Sequence, residues 1–325
     1  MYKVTIVIPN FNGEAYLKGC LDSLEKQTEK HFEWIIIDDC STDQSVNLIR
    51  HYPEVRLFIN QKNSGFAYSV NRGIKLASAP YVLLLNNDVE VANDFVEQLY
   101  KRIHQNAKIF SVSSQMIRFK ERDKLDDTGD FYHILGWAYK RGDGKSITTN
   151  QKASAVFSTC AGAGIYRRAI FDEIGYFDEA YFAYLEDVDV SYRGLIYGYK
   201  NVYEPKAICY HIGSATTAQG EKYSPFKVKL SARNNVYTAY KNMPFLQLVV
   251  NSPFLVCGFA IKGLIFKKRG YGKAYGDGLK EGLTTLHRVN KTKFKLKHTL
   301  NYLKIEGMLF QNLARHINEK VQNKI

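Results

Sequence analysis

The chain has 325 residues, 45% of them hydrophobic, which is enough to bury a full core and excludes a disordered polypeptide. Its formal net charge of +13 is uneven, because Val236 to Ile325 holds 16 Lys and Arg against 4 Asp and Glu while the remaining residues hold 29 against 28. A basic segment that follows a charge-balanced portion and carries no reader motif excludes nucleic acid as the expected partner.

Five cysteines, Cys20, Cys40, Cys160, Cys209 and Cys257, are odd in number and never spaced as CxxC. Neither a disulfide framework nor a structural zinc site is expected, and a reducing cytoplasm fits. The start, MYKVTIVIPNFNG, has no apolar stretch of signal-peptide length and no small-residue cleavage site, so the mature chain is expected to begin there.

The first predicted elements are the strand KVTIVIP, the helix AYLKGCLDSLEKQ, the strand EWIIIDD, a helix from about Thr42 to Tyr52 and the strand VRLFIN. A helix from about Phe66 to Ala77, the strand YVLLLNN, a helix near Asn93 to Asn106 and the strand KIFSVSSQMI follow. Strands alternating with helices predict an α/β fold with a mostly parallel sheet covered on both faces, and ligands bind beyond the carboxyl ends of such strands. Polar residues gather there: Pro9 to Asn12, Asp38 and Asp39, Asn63 to Gly65, and Asn86 to Asp88.

Residues from about Arg118 to Lys152 are charged and weakly periodic, and predict a long loop with short elements. Order returns at STCAGAGIYRR, then in a helix from about Glu186 to Tyr197 and the strand AICYHIG. From Met243 to Phe266 the only charge is Lys262, a run long enough for a spanning helix of about 20 residues. Pro244, Asn251, Pro253 and Lys262 argue against a simple span. Two shorter helices lying in a membrane interface are expected instead, with Lys267, Lys268 and Arg269 on anionic headgroups and KTKFKLKH adding to the attraction. The alternative is that the apolar run packs as core or as a homodimer interface.

Several motifs carry chemistry. In IIIDDCSTDQS, Ser41 or Asp43 suits a helix N-cap, and a carboxylate at the strand end can accept hydrogen bonds from a base or ribose. In NSGFAYSVNRGI, Gly65 permits positive φ or close backbone approach, and Arg72 offers a bidentate fork for phosphate. In LLLNNDVEV, Asp88 either closes an Asx turn or holds a hard cation at a diphosphate. In FDEAYFAYLEDVDVSYR, carboxylates lie among aromatics that exclude water, a setting for a general base. Asp189 and Arg193, four residues apart on a helix, suit an ion pair, which leaves Glu186 and Asp187 for function. His211 ends an apolar strand and is either a structural residue or a metal ligand.

Together PNFNG, DDCSTD, NSGFAYSVNRGI, LLLNNDVEV, GAGIYRRAIFDEIGYFDEAYFAYLEDVDVSYR and the later H-I-G-S resemble the family 2 glycosyltransferases of the GT-A fold, and most of all their bacterial rhamnosyltransferase branch. The ordered match runs from Val4 to about Ser214. The resemblance implies a GT-A catalytic domain over residues 1–235, with a nucleotide-binding half 1–117 and an acceptor and catalytic half 118–235. A basic, partly apolar helical region, 236–325, follows it. Pro9, Phe11 and Asn12 would lie along the nucleoside, Asp39 would bind the base, and Asn63, Gly65, Arg72 and Asn87 would line the nucleotide pocket. Asp88 matches the last acid of the D-x-D metal motif, although Asn86 and Asn87 stand where fuller versions carry an aspartate. His211 matches a histidine that completes the metal site in some members. Asp187 matches the general base, and Glu186 would orient the acceptor or support that base.

The implied reaction is transfer, with inversion, of a sugar such as rhamnose from a dTDP- or UDP-sugar to a glycan or lipid-linked acceptor, with Mn2+ or Mg2+ as cofactor. The setting would be the inner face of the cell membrane during envelope polysaccharide synthesis. A dinucleotide-dependent oxidoreductase or a nucleotidyltransferase does not fit, because no G-x-G-x-x-G follows the first strand and no glycine-rich, lysine-bearing loop lies near the N-terminus. A non-catalytic sugar-nucleotide binder on the same fold is the remaining alternative.

Overall fold

The structure, a computed structural model, describes residues 1–213 and 223–322; Ser214 lies outside the described residues. The alternation appears as β1 (Val4–Asn10), α1 (Glu14–Glu25), β2 (Phe32–Asp38), α2 (Ser45–Ile49), β3 (Val55–Ile59), α3 (Phe66–Leu76) and β4 (Tyr81–Leu85). A short β5 (Val89–Val91) and α4 (Phe95–His104) come next. The apolar runs of β1, β2 and β4 divide by the period of two. Ile6, Ile8, Ile36, Leu83 and Leu85 pack with Leu17 and Leu21 of α1 and Phe95 and Leu99 of α4, while Val7, Ile35, Ile37, Val82 and Leu84 pack with Val70 and Ile74 of α3. Both faces are therefore covered, and each fully buried Ile, Leu or Val contributes about 1.5–3 kcal/mol.

The chain continues through β6 (Ile109–Arg118), β7 (Leu125–Asp127), β8 (Asp130–His133), β9 (Trp137–Lys140), β10 (Ser154–Val156) and β11 (Ala163–Arg167). Helices α5 (Arg168–Ile174) and α6 (Glu186–Ile196) lead to the long β12 (Lys200–His211). The main sheet has the order β10-β12-β6-β11-β4-β1-β2-β3, with β5 on β12 and β7 on β6. Pairs β1–β2, β1–β4, β2–β3 and β6–β12 are parallel. Strand β11 runs against both β4 and β6, because the chain leaves β6 at its carboxyl end and re-enters the sheet from that same edge without a crossover helix.

The stretch expected as a long loop holds β7, β8 and β9, with β8 and β9 paired as a hairpin. Strands of three or four residues leave too little pattern to read in a sequence. They are held by burial, since Phe131, Tyr132 and Ile134 share a core with Tyr192 and Ile196 of α6.

Helices α7 (Pro225–Asn242), α8 (Phe245–Lys268), α9 (Gly272–Thr284) and α10 (Thr299–Gln322) follow, and residue 235 falls within α7. The two short helices expected after Met243 are instead one continuous helix, α8, with Pro253 inside it. Proline has no N–H for the carbonyl four residues before, and Ser252 Oγ takes its place by donating to Val249 O at 2.8 Å. Leu255, Gly258 and Phe266 form the buried stripe of α8, and a side chain at Gly258 would strike the Leu135 backbone.

Candidate active site

The residues expected on the nucleotide side meet at the carboxyl ends of β1, β2 and β3. Asp38 accepts from Asn10 Nδ2 at 2.8 Å and Ser41 N at 2.9 Å, and so closes the turn after β2. Asp39 accepts from Asn60 Nδ2 at 2.7 Å, Ser64 N at 2.9 Å and Gly65 N at 2.8 Å. Its carboxylate thus shapes the 60–65 loop. Asn63 Oδ1 also accepts from Gly65 N, at 3.2 Å. Gly65 has φ 89°, and a Cβ there would lie 2.5 Å from the Phe182 ring, so the close approach requires glycine.

Asn12, with φ 49°, accepts from Thr42 N at 2.8 Å through Oδ1. Pro9 pairs with Ile37 across β1 and β2, and Phe11 is half-buried just past β1. Arg72 donates through Nη1 to Ile59 O at 2.9 Å and Asn60 Oδ1 at 2.6 Å, which ties α3 to the end of β3. Asn87 donates to Asn10 Oδ1 at 2.7 Å.

Asp88 and His211 come together because β5 pairs antiparallel with β12, placing Val89 opposite His211. Asp88 Oδ1 and His211 Nε2 lie 3.5 Å apart, both side chains largely buried. The other ring nitrogen, Nδ1, lies 2.7 Å from Asp126 Oδ2, which in turn pairs with Lys140 at 2.9 Å. Burial works against charge on His211, yet the two carboxylates outweigh it and push its pKa up to about 9. Burial likewise opposes ionisation of Asp126, but the Lys140 charge and the His211 hydrogen bond hold it below the usual carboxylate range.

These residues fit a divalent cation: a carboxylate and an imidazole nitrogen converge, and a second carboxylate orients the imidazole through its far nitrogen. Asp127, Asp130 and Cys160 also place ligand atoms within 4.8 Å of one another. Burial is the main cause that pushes Asp127 up to about 6 and raises Asp130 and the Cys160 thiol well above their ordinary values. A thiol sulfur is a soft ligand and suits Mn2+ or Mg2+ less well than a carboxylate with an imidazole, which favours Asp88 and His211 on ligand chemistry.

The base candidate stands at the start of α6. Asp187 accepts from Val188 N at 2.8 Å and from Ala161 N at 3.3 Å. The neighbouring Gly162 O accepts from Asn86 N at 2.8 Å, so one short segment links the Asp88 motif to Asp187. Burial raises the Asp187 pKa, against the backbone N–H groups that lower it. Glu186 is buried, its Oε2 has no hydrogen-bond partner among the described residues, and burial and the Asp187 charge raise its pKa. Asp189 proves structural, bound by Arg193 at 2.8 Å, Lys241 at 3.0 Å and Asn242 at 2.8 Å. Asp126, Asp127, Asp130 and Lys140 lie outside the motifs read from the sequence, in which the run DDTGD is the one local signal of the three acids.

The sequence model of the Glycosyl transferase family 2 matches residues 5–175. Glycosyltransferase GlyA of Streptococcus pneumoniae is 32% identical over 183 residues, which cover 53% of this chain and 25% of that protein. The teichoic acid poly(glycerol phosphate) polymerase of Staphylococcus epidermidis is 32% identical over 134 residues, 38% of this chain and 19% of that protein. The matched stretch therefore spans a quarter or less of either relative. The fold is shared with the crystal structure of GalNAc-T7 with UDP, GalNAc and Mn2+, at TM-score 0.61 and 18% identity over 74% of this chain and 48% of that one.

Proposed function

The chain belongs to glycosyl transferase family 2, and from that premise we propose that it moves a sugar from a nucleoside-diphosphate donor to a hydroxyl of a glycan or lipid-linked acceptor in cell-envelope polysaccharide synthesis. The observation that carries the reading is the juxtaposition of the Asp88–His211 pair with Asp187 across the Ala161–Gly162 segment. Pro9, Phe11, Asn12, Asp39, Asn63, Gly65, Arg72 and Asn87 form the nucleotide side in this reading. The donor is a dTDP- or UDP-sugar, rhamnose among the sugars to be tried. The catalytic unit is residues 1–235, and 236–325 serves attachment.

Asp88 and His211 would hold Mn2+ or Mg2+ at the donor diphosphate. The cation supplies Lewis-acid stabilisation of the charge that develops on the departing nucleoside diphosphate. Asp187 accepts the proton of the acceptor hydroxyl as that oxygen bonds to the anomeric carbon from the face opposite the phosphate. The sugar–phosphate bond breaks, its electron pair leaves with the diphosphate, and the anomeric configuration inverts. Glu186, beside it, orients the acceptor.

We place the site at the inner face of the cell membrane. Helix α8 is long and apolar enough to cross a membrane, and only 17% of its most apolar window is buried. Incubation of the purified protein with a panel of nucleotide sugars, with manganese or with chelator, tests the whole reading. Manganese-dependent donor cleavage and a product of inverted configuration are expected; no turnover with any donor in the presence of acceptor lipids would favour a non-catalytic binder.

A further inference from the structure

The turn before the Glu186–Asp187 pair is strained. Phe182 has φ 63° and ψ −64°, and Ala183 N donates to Tyr181 O at 2.7 Å, the geometry of a γ-turn that L-residues rarely adopt. Tyr184 and Leu185 follow at φ 71° and 70°. Three non-glycine residues with positive φ in four positions persist only where their surroundings over-determine them.

The surroundings here are two buried residues of α7. Asn234 Nδ2 donates toward Tyr181 O at 3.0 Å, Ala183 O at 2.9 Å and Tyr184 O at 2.7 Å. Arg233 Nη2 donates to Ala180 O at 3.1 Å and Tyr181 O at 2.8 Å. The two residues also fix each other: Arg233 Nε donates to Asn234 Oδ1 at 3.0 Å, which turns the amide so that its N–H groups face the carbonyls. Arg233 Nη1 is anchored on Glu281 of α9 at 3.1 Å. On its other side the turn meets the nucleotide loop, with Phe182 O accepting from Ala67 N at 3.2 Å and Phe182 packed on Gly65.

We propose that Arg233 and Asn234 are positioning residues that hold the strained 181–185 turn against the nucleotide loop, and so aim Glu186 and Asp187 at the reacting hydroxyl. Neither touches the reacting atoms. The inference rests on the reading of Asp187 as base, and it assigns a catalytic consequence to α7, which lies beyond the portion matched by the family. A displacement of about 1 Å in a catalytic group is worth about 100-fold in rate, which sets the size of the effect.

The test is steady-state kinetics on the full chain with Asn234→Asp, which keeps the side-chain shape and removes the donors. Expected is a fall of about 100-fold in kcat with donor KM within threefold, in a protein whose thermal unfolding stays cooperative. The same substitution in an Asp187→Asn background should add little further loss, because residues acting through one another are not additive. Full additivity, a donor KM that rises in step with the fall in kcat, or wild-type kcat in Asn234→Asp would overturn the proposal. Wild-type turnover in Asp187→Asn alone would instead sink the base assignment, and so separates the two failures. Should Asn234→Asp not fold, Arg233→Lys, which keeps a cation opposite Glu281 and loses the bond to Asn234 Oδ1, is read in the same way, with an expected loss of about 10-fold in kcat.

Discussion

Asp126 Oδ2 lies 2.7 Å from His211 Nδ1, on the side of the ring away from Asp88. A carboxylate behind a metal-binding imidazole fixes its tautomer and raises its basicity, and loss of such a partner costs about 10–100-fold in metal affinity. Asp126→Asn is therefore expected to weaken manganese binding in the presence of donor by that factor, read by calorimetric titration. An unchanged manganese affinity would separate Asp126 from the cation site.

Asp88 and His211 are not equivalent. Asp88 offers a carboxylate oxygen, whereas His211 has a raised pKa and must lose its proton before it can ligate. Asp88→Ala should lower manganese-dependent donor binding more than His211→Ala does. Manganese affinity of the wild type is expected to rise between about pH 7 and 9 as His211 loses its proton, and the His211→Ala variant should lose part of that rise. Chelator that leaves the wild-type transfer rate untouched would end the cation assignment and leave the departing diphosphate to Arg72 or other donors.

With Asp187 proposed as the base, the pH profile of transfer is a test of it. Burial raises its pKa, so the proton is held to higher pH than in an ordinary carboxylate. A base acts only when deprotonated, and activity should fall as pH drops through that raised value, with the acid limb displaced upward from about 4. Asp187→Asn should cut transfer to a residual rate about 10²–10⁴-fold below the wild type while leaving donor affinity within a few-fold, measured by initial rates and nucleotide binding. Near-normal turnover in that variant, or an acid limb that stays near 4, contradicts the assignment.

How much of this was legible in the sequence depended on the range of the interaction. Asp88 and Asp187 stand beside strong local signals, an apolar strand and a helix start, and the fold follows from apolar strands such as VTIVIP and WIIID alternating with helical patterns. Asp126 and Lys140 lie in strands of three and four residues, placed by pairing of β7 with β6 and of β9 with β8 and by burial of Phe131 and Tyr132. The clamp on Tyr181 depends on Arg233 and Asn234, more than 50 residues away, and no local pattern announces such a contact. Helix α8 runs on through Pro253, where Ser252 Oγ donates to Val249 O, a local bond that the apolar run and its prolines do not announce.

Asp189 gives a stability prediction. It is fully buried between Arg193, Lys241 and Asn242, and although burial works against ionisation, the two cations hold its pKa below the ordinary value. Asp189→Ala leaves two buried cations with less compensation and should destabilise the fold by about 3–5 kcal/mol, seen as a large drop in Tm. A depressed folded-state pKa also means that this contribution is complete above the unfolded value near 4 and fades as pH falls toward the folded one. A variant as stable as the wild type at neutral pH would show that the cations find other partners.

The last prediction concerns α8 and the membrane. Phe245, Leu246, Val249, Val250, Val256 and Leu264 are all more than half exposed, and they cover the faces of the helix left open by its buried stripe. Water gains nothing from that arrangement, whereas a headgroup boundary accepts apolar side chains and neutralises Lys267, Lys268 and Arg269 at the helix end. Each basic residue close to an anionic surface contributes about 1 kcal/mol, so replacing the three with Gln should reduce partition onto anionic vesicles by about two orders of magnitude. The attraction should also fall steeply as salt rises, since these charges sit in solvent. Apolar insertion adds a salt-independent part: Leu246→Ser with Val250→Ser should weaken binding without changing its salt dependence, because it removes buried area and leaves the charge. Co-sedimentation with vesicles of anionic and of zwitterionic lipid reads both effects. A full-length protein that stays in the supernatant at low salt, and instead runs as a dimer that the two serine substitutions dissociate, would assign this face to a second copy of the chain.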